Sequence, residues 1–428
     1  MTDDTGISDA GRAGAGRTTS VRTTTVCIVG GGPAGIMLGL LLARAGIEVT
    51  VLEKHADFFR DFRGDTIHPS TIDLIDQLGL RDEFEAVEQT RVSKLDAVVK
   101  GQRITPIDFS LLRGGARHLS LMPQWDFLAV LAAAGKRLPT FTLLMDTEAT
   151  GLLREAGDGA TITGVVATGS TGTPVEIRAS LTIAADGRSS VVRAASGLTV
   201  TEYGVPVDVL WFRIPRPALN PPDTLAYITD AAMMITIPRH DAANGDYYQT
   251  AMLIPKGAFD AVRARGLAQF RSQIVDVVPF LEPVVSSLDD WADVKLLSVQ
   301  VNRLEKWHLP GFLAIGDAAH AMSPAFGVGI NYAIQDAVAA ANILVPALRR
   351  GPVTDEQLES LQRRRARPTR RMQSLQLRAH AFVGHPGGGA NLPSAGRLRV
   401  VLKVVIPPLR FVIARVIGRG FRPERIEY

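Results

Sequence analysis

Cysteine is almost absent from this chain, with one residue, Cys27, in 428. No intrachain disulfide can form, Cys27 reads as a small buried apolar side chain, and a reducing cytoplasm is the expected setting. Metal-ligand spacings, a Ser-His-Asp set and paired carboxylates are also missing, as is any internal repeat. The first 22 residues contain no apolar segment of the kind a secretory signal needs, and residues 1–20 are expected to form a disordered tail. No long apolar run is free of charge and proline. The best candidate, Val401 to Ile417, is interrupted by Lys403, Pro407, Pro408, Arg410 and Arg415. It reads as a helix packed on the larger domain, with peripheral membrane contact as the alternative and no transmembrane span.

Charge is unevenly distributed. Residues 361–428 carry 15 Lys and Arg against Glu424 and Glu427, which leaves the remainder acidic in a chain of formal net charge +4. No aromatic residue interrupts the arginine run 363–371, as a nucleic-acid surface would require. Arg363, Arg364, Arg365, Arg367, Arg370 and Arg371 therefore read as the solvated face of a long helix, and no nucleic-acid partner is expected.

Three separated stretches carry the chemistry. Val26, Cys27, Ile28 and Val29 form a run suited to a buried parallel strand, closed by Gly30-Gly31-Gly32-Pro33-Ala34-Gly35. Gly30 permits a tight turn, Gly32 lets backbone amides approach a diphosphate, and Gly35 lets the next helix sit close to the strand. That helix, Pro33 to Ala45, carries Met37, Leu38, Leu41 and Leu42 on its apolar side, and its N-terminus offers free N–H groups to phosphates. A second strand, Val49 to Leu52, delivers Glu53, beside Lys54, where a carboxylate can accept from a ribose. This pattern alone does not choose between NAD and FAD.

The second and third stretches make that choice. Leu181, Ile183 and Ala184 read as a strand falling into the turn Asp186-Gly187, which can place a carboxylate and free amides beside a phosphate; alone it would be an ordinary turn. Phe312 to Ile315 form another buried strand ending at Gly316-Asp317, with Asp317 placed for a ribityl hydroxyl. Pro324, Gly327, Gly329 and Asn331 then open a helix continued by Ala333, Ile334, Ala337, Ala340, Ala341 and Leu344. Its positive end would face the N1–C2=O edge of a flavin, where negative charge gathers on reduction.

With these motifs in this order, the chain resembles the single-component, class A flavoprotein monooxygenases related to para-hydroxybenzoate hydroxylase, over about Thr25 to Ala347. Arg63 resembles the family arginine that contacts the FAD diphosphate and ribityl region, and Gln124 the glutamine that opens a helix beside the cofactor. Val328 departs from the commoner family Gln, which puts detailed flavin positioning in doubt.

The resemblance implies an α/β fold: a Rossmann-type, glutathione-reductase-like FAD domain from residues 21–91, 117–204 and 294–345. A β-sheet substrate domain from residues 92–116 and 205–293 is inserted into it, and residues 346–428 form a helical, basic C-terminal region. In Val207 to Arg213, alternation puts Val207, Val209, Trp211 and Arg213 on one face, with sheet partners at Ala231 to Ile237 and Tyr247 to Ile254. Val209, Trp211, Arg213, Met233 and Met252 are the candidate substrate contacts, alternatively plain core for the apolar ones and solvent for Arg213. His68 precedes a helix expected to be capped by Ser70 with Asp73 three residues on; it is a weak catalytic candidate, with a loop-stabilising role as the alternative. His320 is expected to orient backbone.

The implied activity is an NAD(P)H-dependent monooxygenase that hydroxylates an aromatic or polycyclic small molecule with molecular oxygen, through a flavin C4a-hydroperoxide. FAD is the expected cofactor, NADH or NADPH the transient reductant, and a monomer or homodimer the expected state. The alternatives are an FAD-dependent reductase or dehydrogenase of an apolar, for example prenyl, substrate, and a non-catalytic flavin-binding module.

Overall fold

The computed structural model describes residues 20–59, 66–157, 161–170, 172–218, 226–241, 245–383 and 404–428. Arg63 and residues 1–19 lie outside them.

The apolar runs become the centre of a mixed sheet. Its parallel strands stand in the order Phe312–Ala314, Pro174–Ala184, Ser20–Val29, Val49–Leu52 and Phe141–Leu144. Val29 pairs with Ala184 on one side and Leu52 on the other, while Ala184 pairs with Ala314 and Leu52 with Leu144. All five strands therefore end at one level. An antiparallel meander of Glu148–Arg154 and Ile162–Thr168 joins the outer half of Pro174–Ala184. The first strand begins at Ser20, ahead of the apolar run, because Ser20 to Thr24 pair with Val175 to Ala179.

The helix Pro33–Arg44 is buried from Ala34 through Ala43, not along one stripe only. It lies between the sheet and the helices Gly329–Leu348 and Gln124–Lys136, so each side meets protein. Ile36, Met37, Leu38, Leu40, Leu41 and Leu42 are each nearly inaccessible. At about 1.5–3 kcal/mol per buried side chain, this helix alone supplies on the order of 10 kcal/mol of apolar burial before conformational entropy. Residues 325–348 are long and apolar enough to cross a membrane by composition, yet 83% of that window is buried inside the fold. It is a core helix.

A second sheet of seven strands runs Lys295–Leu297, Val207–Pro215, Gly245–Pro255, Met233–Asp241, Ala226–Ile228, Lys94–Val99 and Gln102–Asp108. Strand alternation divides its side chains. Leu210, Phe212, Ile214, Met234, Tyr248 and Met252 face the helices Phe259–Ala264 and Leu267–Val277. Val207, Val209, Ala251 and Leu253 face the other way, with Trp211, Met233 and Ile235 partly buried beside them.

At the C-terminal end, the helix Asp355–Val383 packs along Gly329–Leu348. Arg363, Arg367, Arg370 and Arg371 are exposed as expected of a solvated face, but Arg365 is fully buried and Arg364 half-buried. The final helix, Ile406–Arg419, rests on Gln102–Asp108 and Pro69–Leu78. Its Ala414 and Ile417 join Ile107, Phe109, Met322, Val328 and Tyr332 in one apolar cluster, so it bridges both sheets' surroundings.

Candidate functional site

Register brings the three motifs together. Glu53, Gly30, Ala185 and Ile315 each follow the last paired residue of neighbouring parallel strands, and their backbones continue the ladder: Gly30 N donates to Leu52 O at 2.8 Å, Ala185 N to Val29 O at 2.8 Å, Ile315 N to Ala184 O at 3.0 Å. The carboxyl ends of the strands therefore share one edge, the side on which doubly wound sheets take ligands.

Gly30 holds a φ of 109°, and a Cβ there would collide with the Ala185 backbone. A Cβ on Gly35 would overlap the Gly30 carbonyl oxygen, so only glycine lets the helix approach the strand this closely. At Gly32, by contrast, nothing lies within 4 Å of the Cβ position. The helix behind it starts at Pro33 with no side-chain cap, leaving its first N–H groups toward that open space. Ala34 is buried beneath this turn. Glu53 is buried at the rim and accepts from Gly31 N and His55 N, both at 3.1 Å; Lys54, next to it, is exposed.

The second motif faces the first. Asp186 Oδ2 accepts from Val191 N at 2.9 Å, while its Oδ1 is buried without a partner. Burial raises the Asp186 carboxyl above the usual range, against the opposing hydrogen bonds of Ser190 and the amides that follow. Gly187 takes a positive φ of 87° in the turn. Arg193 links this motif to the third, donating to Arg188 O at 2.7 Å and Ala318 O at 3.1 Å. The Arg188 guanidinium lies 3.9 Å from Asp317.

The third motif is anchored from below. Gly316 N donates to Asp336 Oδ2 at 3.1 Å, and the same oxygen lies 2.5 Å from His320 Nε2. Asp336 Oδ1 accepts from Arg365 Nε at 2.8 Å, and Arg365 continues to Glu424 at 3.3 Å. His320 thus belongs to a buried ion network behind the motif. Asp336 is the anchor that the motifs do not announce, yet an acid amid Ala and Ile in Tyr332–Leu344 is a visible signal for it, since a buried charge needs a partner.

Pro324 stands at the start of a short turn, and Gly327, Val328 and Gly329 lead into the uncapped helix Gly329–Leu348. Gly327 O accepts from Thr66 Oγ1 and His68 Nε2, each at 3.0 Å. A carbonyl only accepts, so His68 Nε2 carries the hydrogen, and Nδ1 is buried without a partner. Burial lowers the His68 pKa to about 4, outweighing its backbone hydrogen bonds. The expected capping by Ser70 does not form. Ser70 Oγ instead donates to Asn331 Oδ1 at 2.6 Å, joined by Thr71 at 2.8 Å, while Asp73 accepts from Ala116 N at 2.6 Å. Asn331 Nδ2 is left buried and unpartnered. Gln124 opens the helix Gln124–Lys136, and the adjacent Trp125 ring lies 4.6 Å from Phe59.

The substrate candidates divide. Val209, Trp211, Arg213 and Met233 share one face of the seven-stranded sheet. Met252 does not: it pairs with Leu210 and Met234 and is buried under the helices of the opposite face. Trp211 Nε1 is buried without a partner, and exposed Arg213 lies over the Tyr247 ring at 5.1 Å.

An open glycine turn and an uncapped helix start at the shared strand edge, with an unpartnered Asp186 Oδ1 beside them, fit a dinucleotide whose far end reaches the third motif. Comparison with known proteins agrees. The sequence profile described as the FAD binding domain matches residues 23–375. The chain is 32% identical over 406 residues to 6-methylpretetramide 4-monooxygenase of Streptomyces rimosus, covering 94% of this chain and 93% of that one. It is 27% identical over 335 residues to 12-dehydrotetracycline 5-monooxygenase/anhydrotetracycline 6-monooxygenase of Streptomyces rimosus, 73% of this chain but only 61% of that longer one. In structure it is similar to the anhydrotetracycline hydroxylase OxyS of Streptomyces rimosus, with a TM-score of 0.72, 21% identity, and coverage of 92% of this chain and 76% of that one. The last likeness shows the fold.

Proposed function

Because this chain belongs to the FAD-dependent aromatic monooxygenases that share the FAD binding domain, we propose that it hydroxylates a polycyclic aromatic substrate of the 6-methylpretetramide kind. The observation that carries this reading is the common level of Glu53, Gly30, Ala185 and Ile315 at the ends of adjacent parallel strands. It gathers three remote motifs at one sheet edge. Bound FAD, reduced by NADH or NADPH, supplies the activation of molecular oxygen, one atom of which goes to the aromatic ring and the other to water.

The roles proposed for the chain's own residues follow from the geometry. The amides at Gly32, Pro33's helix and Gly35 cradle the diphosphate, with Ala34 against them, and Glu53 accepts from the ribose. Asp186 and Gly187 stand beside the diphosphate, and Gly316 and Asp317 hold the ribityl chain. Gly329 and Asn331, behind Pro324 and Gly327, present N–H groups to the flavin edge that becomes negative on reduction. Lys54, Gln124 and Arg63 remain proposed cofactor contacts. His68, neutral at pH 7, steadies Gly327 and takes no proton-transfer role. The sheet face with Val209, Trp211 and Met233 walls the substrate site. A dry wall of this kind limits loss of oxygen as peroxide. A reducing cytoplasm and a monomer or homodimer are part of the same proposal.

The test is purified protein reconstituted with FAD, NADH or NADPH and 6-methylpretetramide beside a panel of polycyclic phenols. Substrate-stimulated oxygen uptake and a product one oxygen atom heavier, labelled from isotopic oxygen gas, are expected. Anaerobic reduction of the substrate, with no oxygenated product in air, would favour a reductase instead.

A further inference from the structure

The helix Asp355–Val383 turns three buried polar side chains, Gln373, Gln376 and His380, to one side at spacings of three and four. They meet alternate residues of the segment between Asp317 and the helix Gly329–Leu348. Gln373 Nε2 donates to Ala321 O at 2.8 Å and to Asn302 O at 2.9 Å. Gln376 Nε2 donates to Ser323 O and Ala325 O, both at 2.9 Å. His380 Nε2 lies 2.5 Å from Ser323 Oγ, which also accepts from Ala325 N at 3.0 Å.

The next residue, Phe326, is a non-glycine held at a φ of 68°, a costly conformation that persists only where its surroundings impose it. Beyond it Gly327 O is fastened by Thr66 and His68. Segment 321–327 is thus gripped at every second residue by one helix and at its far end by another part of the fold. An ordinary connection satisfies its carbonyls with water and needs no such grip. On the same stretch of helix, Leu377 packs against the cluster of Val205, Val207 and Val209, beside Trp211 and Met233.

Resting on the flavin site described above, we propose that Gln373, Gln376 and His380 are positioning residues for the cofactor. They set the backbone of segment 321–327, and with it Pro324 and the start of the helix Gly329–Leu348, against bound FAD. Leu377 ties the same helix to the substrate-facing side of the seven-stranded sheet. None of the three polar residues touches reacting atoms; they act through the segment they hold.

The experiment is FAD titration of full-length apoprotein by flavin fluorescence, with visible circular dichroism of the bound flavin and the thermal midpoint of the apoprotein. Gln376→Met keeps the side chain's length and removes both donated bonds. FAD binding should weaken about tenfold and the flavin dichroism should change, while the midpoint falls by only a few degrees. His380→Leu should act in the same direction, and His380→Gln, which can still pair with Ser323, should stay close to wild type. If Gln376→Met yields no soluble protein, Ser323→Ala gives the same reading, with about threefold weaker binding expected. Unchanged FAD affinity and unchanged flavin dichroism in these variants, even with a lower midpoint, would overturn the proposal and leave the three residues as structural only. A wild-type chain that fails to bind FAD would overturn the flavin site itself, a result distinct from the first.

Discussion

Asp336→Ala should be the most damaging single change behind the site. The carboxylate sits fully buried in the helix Gly329–Leu348 and receives Gly316 N at 3.1 Å, His320 Nε2 at 2.5 Å and Arg365 Nε at 2.8 Å. Burial alone would raise its pKa, but His320 and Arg365 overcome that and hold it below the usual range. Alanine leaves the buried Arg365 guanidinium with Glu424 at 3.3 Å and Arg422 O at 3.1 Å only. Removing one partner of a buried pair costs about 3–5 kcal/mol. An unfolding entropy of about 2.1 cal/mol/K per residue means that 428 residues convert each kcal/mol into roughly 1 °C, so the thermal midpoint should fall by about 3–5 °C. FAD affinity should fall as well, because Gly316 N–H loses its acceptor beside Asp317. Asp336→Leu combined with Arg365→Met should recover part of the midpoint, since Glu424 keeps Arg364 at 2.5 Å. A midpoint and FAD affinity equal to wild type in Asp336→Ala would refute the anchoring argument.

Three further outcomes are expected. Asp317→Ala should weaken FAD binding by roughly 1.5–3 kcal/mol, the value of a charge-assisted hydrogen bond; apoprotein titration giving wild-type affinity would remove Asp317 from the ribityl contact. Gly30→Ala must force a side chain into the Ala185 backbone at a φ of 109°, at a cost of about 4 kcal/mol or more. Soluble yield and melting midpoint should both drop, and an unchanged midpoint would contradict the tight-turn account. For His68, burial lowers the pKa from 6.5 to about 4. The unfolded chain therefore takes up a proton that the folded chain refuses. The stability present above pH 6.5 is lost as pH falls toward 4, by about 2 kcal/mol at pH 5. Urea melts at pH 7 and pH 5 should show this loss reduced in His68→Gln; an identical difference in the variant would sink the assignment.

What could be read from the residues was local. Val26 to Val29 and Phe312 to Ala314 announce strands because each is a short apolar run closed by glycine, and Gly30 to Gly35 announces the turn through its steric needs. Both readings depend on neighbours in the chain. The failures depend on partners far away. Ser20 to Thr24 are too polar to announce a strand, and become one only through pairing with Val175 to Ala179. Ser70 looks like a helix cap until Asn331, 261 residues on, takes its hydroxyl. Arg365 sits in a run of arginines that differ only in which side of the helix meets Asp336 and Glu424. Met252 falls on the face opposite Trp211, and strand register, which decides the face, cannot be obtained from a single strand; Trp211 pairs with Ala251.

Oxygen consumption by the FAD-loaded protein with NADH or NADPH, with and without 6-methylpretetramide, tests whether the FAD site serves oxygenation of a polycyclic ring. A flavin absorption spectrum that survives gel filtration, oxygen uptake stimulated by substrate, and a hydroxylated product formed in step with nicotinamide oxidation are expected. Protein that holds no flavin after reconstitution, or that holds flavin but converts no polycyclic substrate to an oxygenated product, would contradict it.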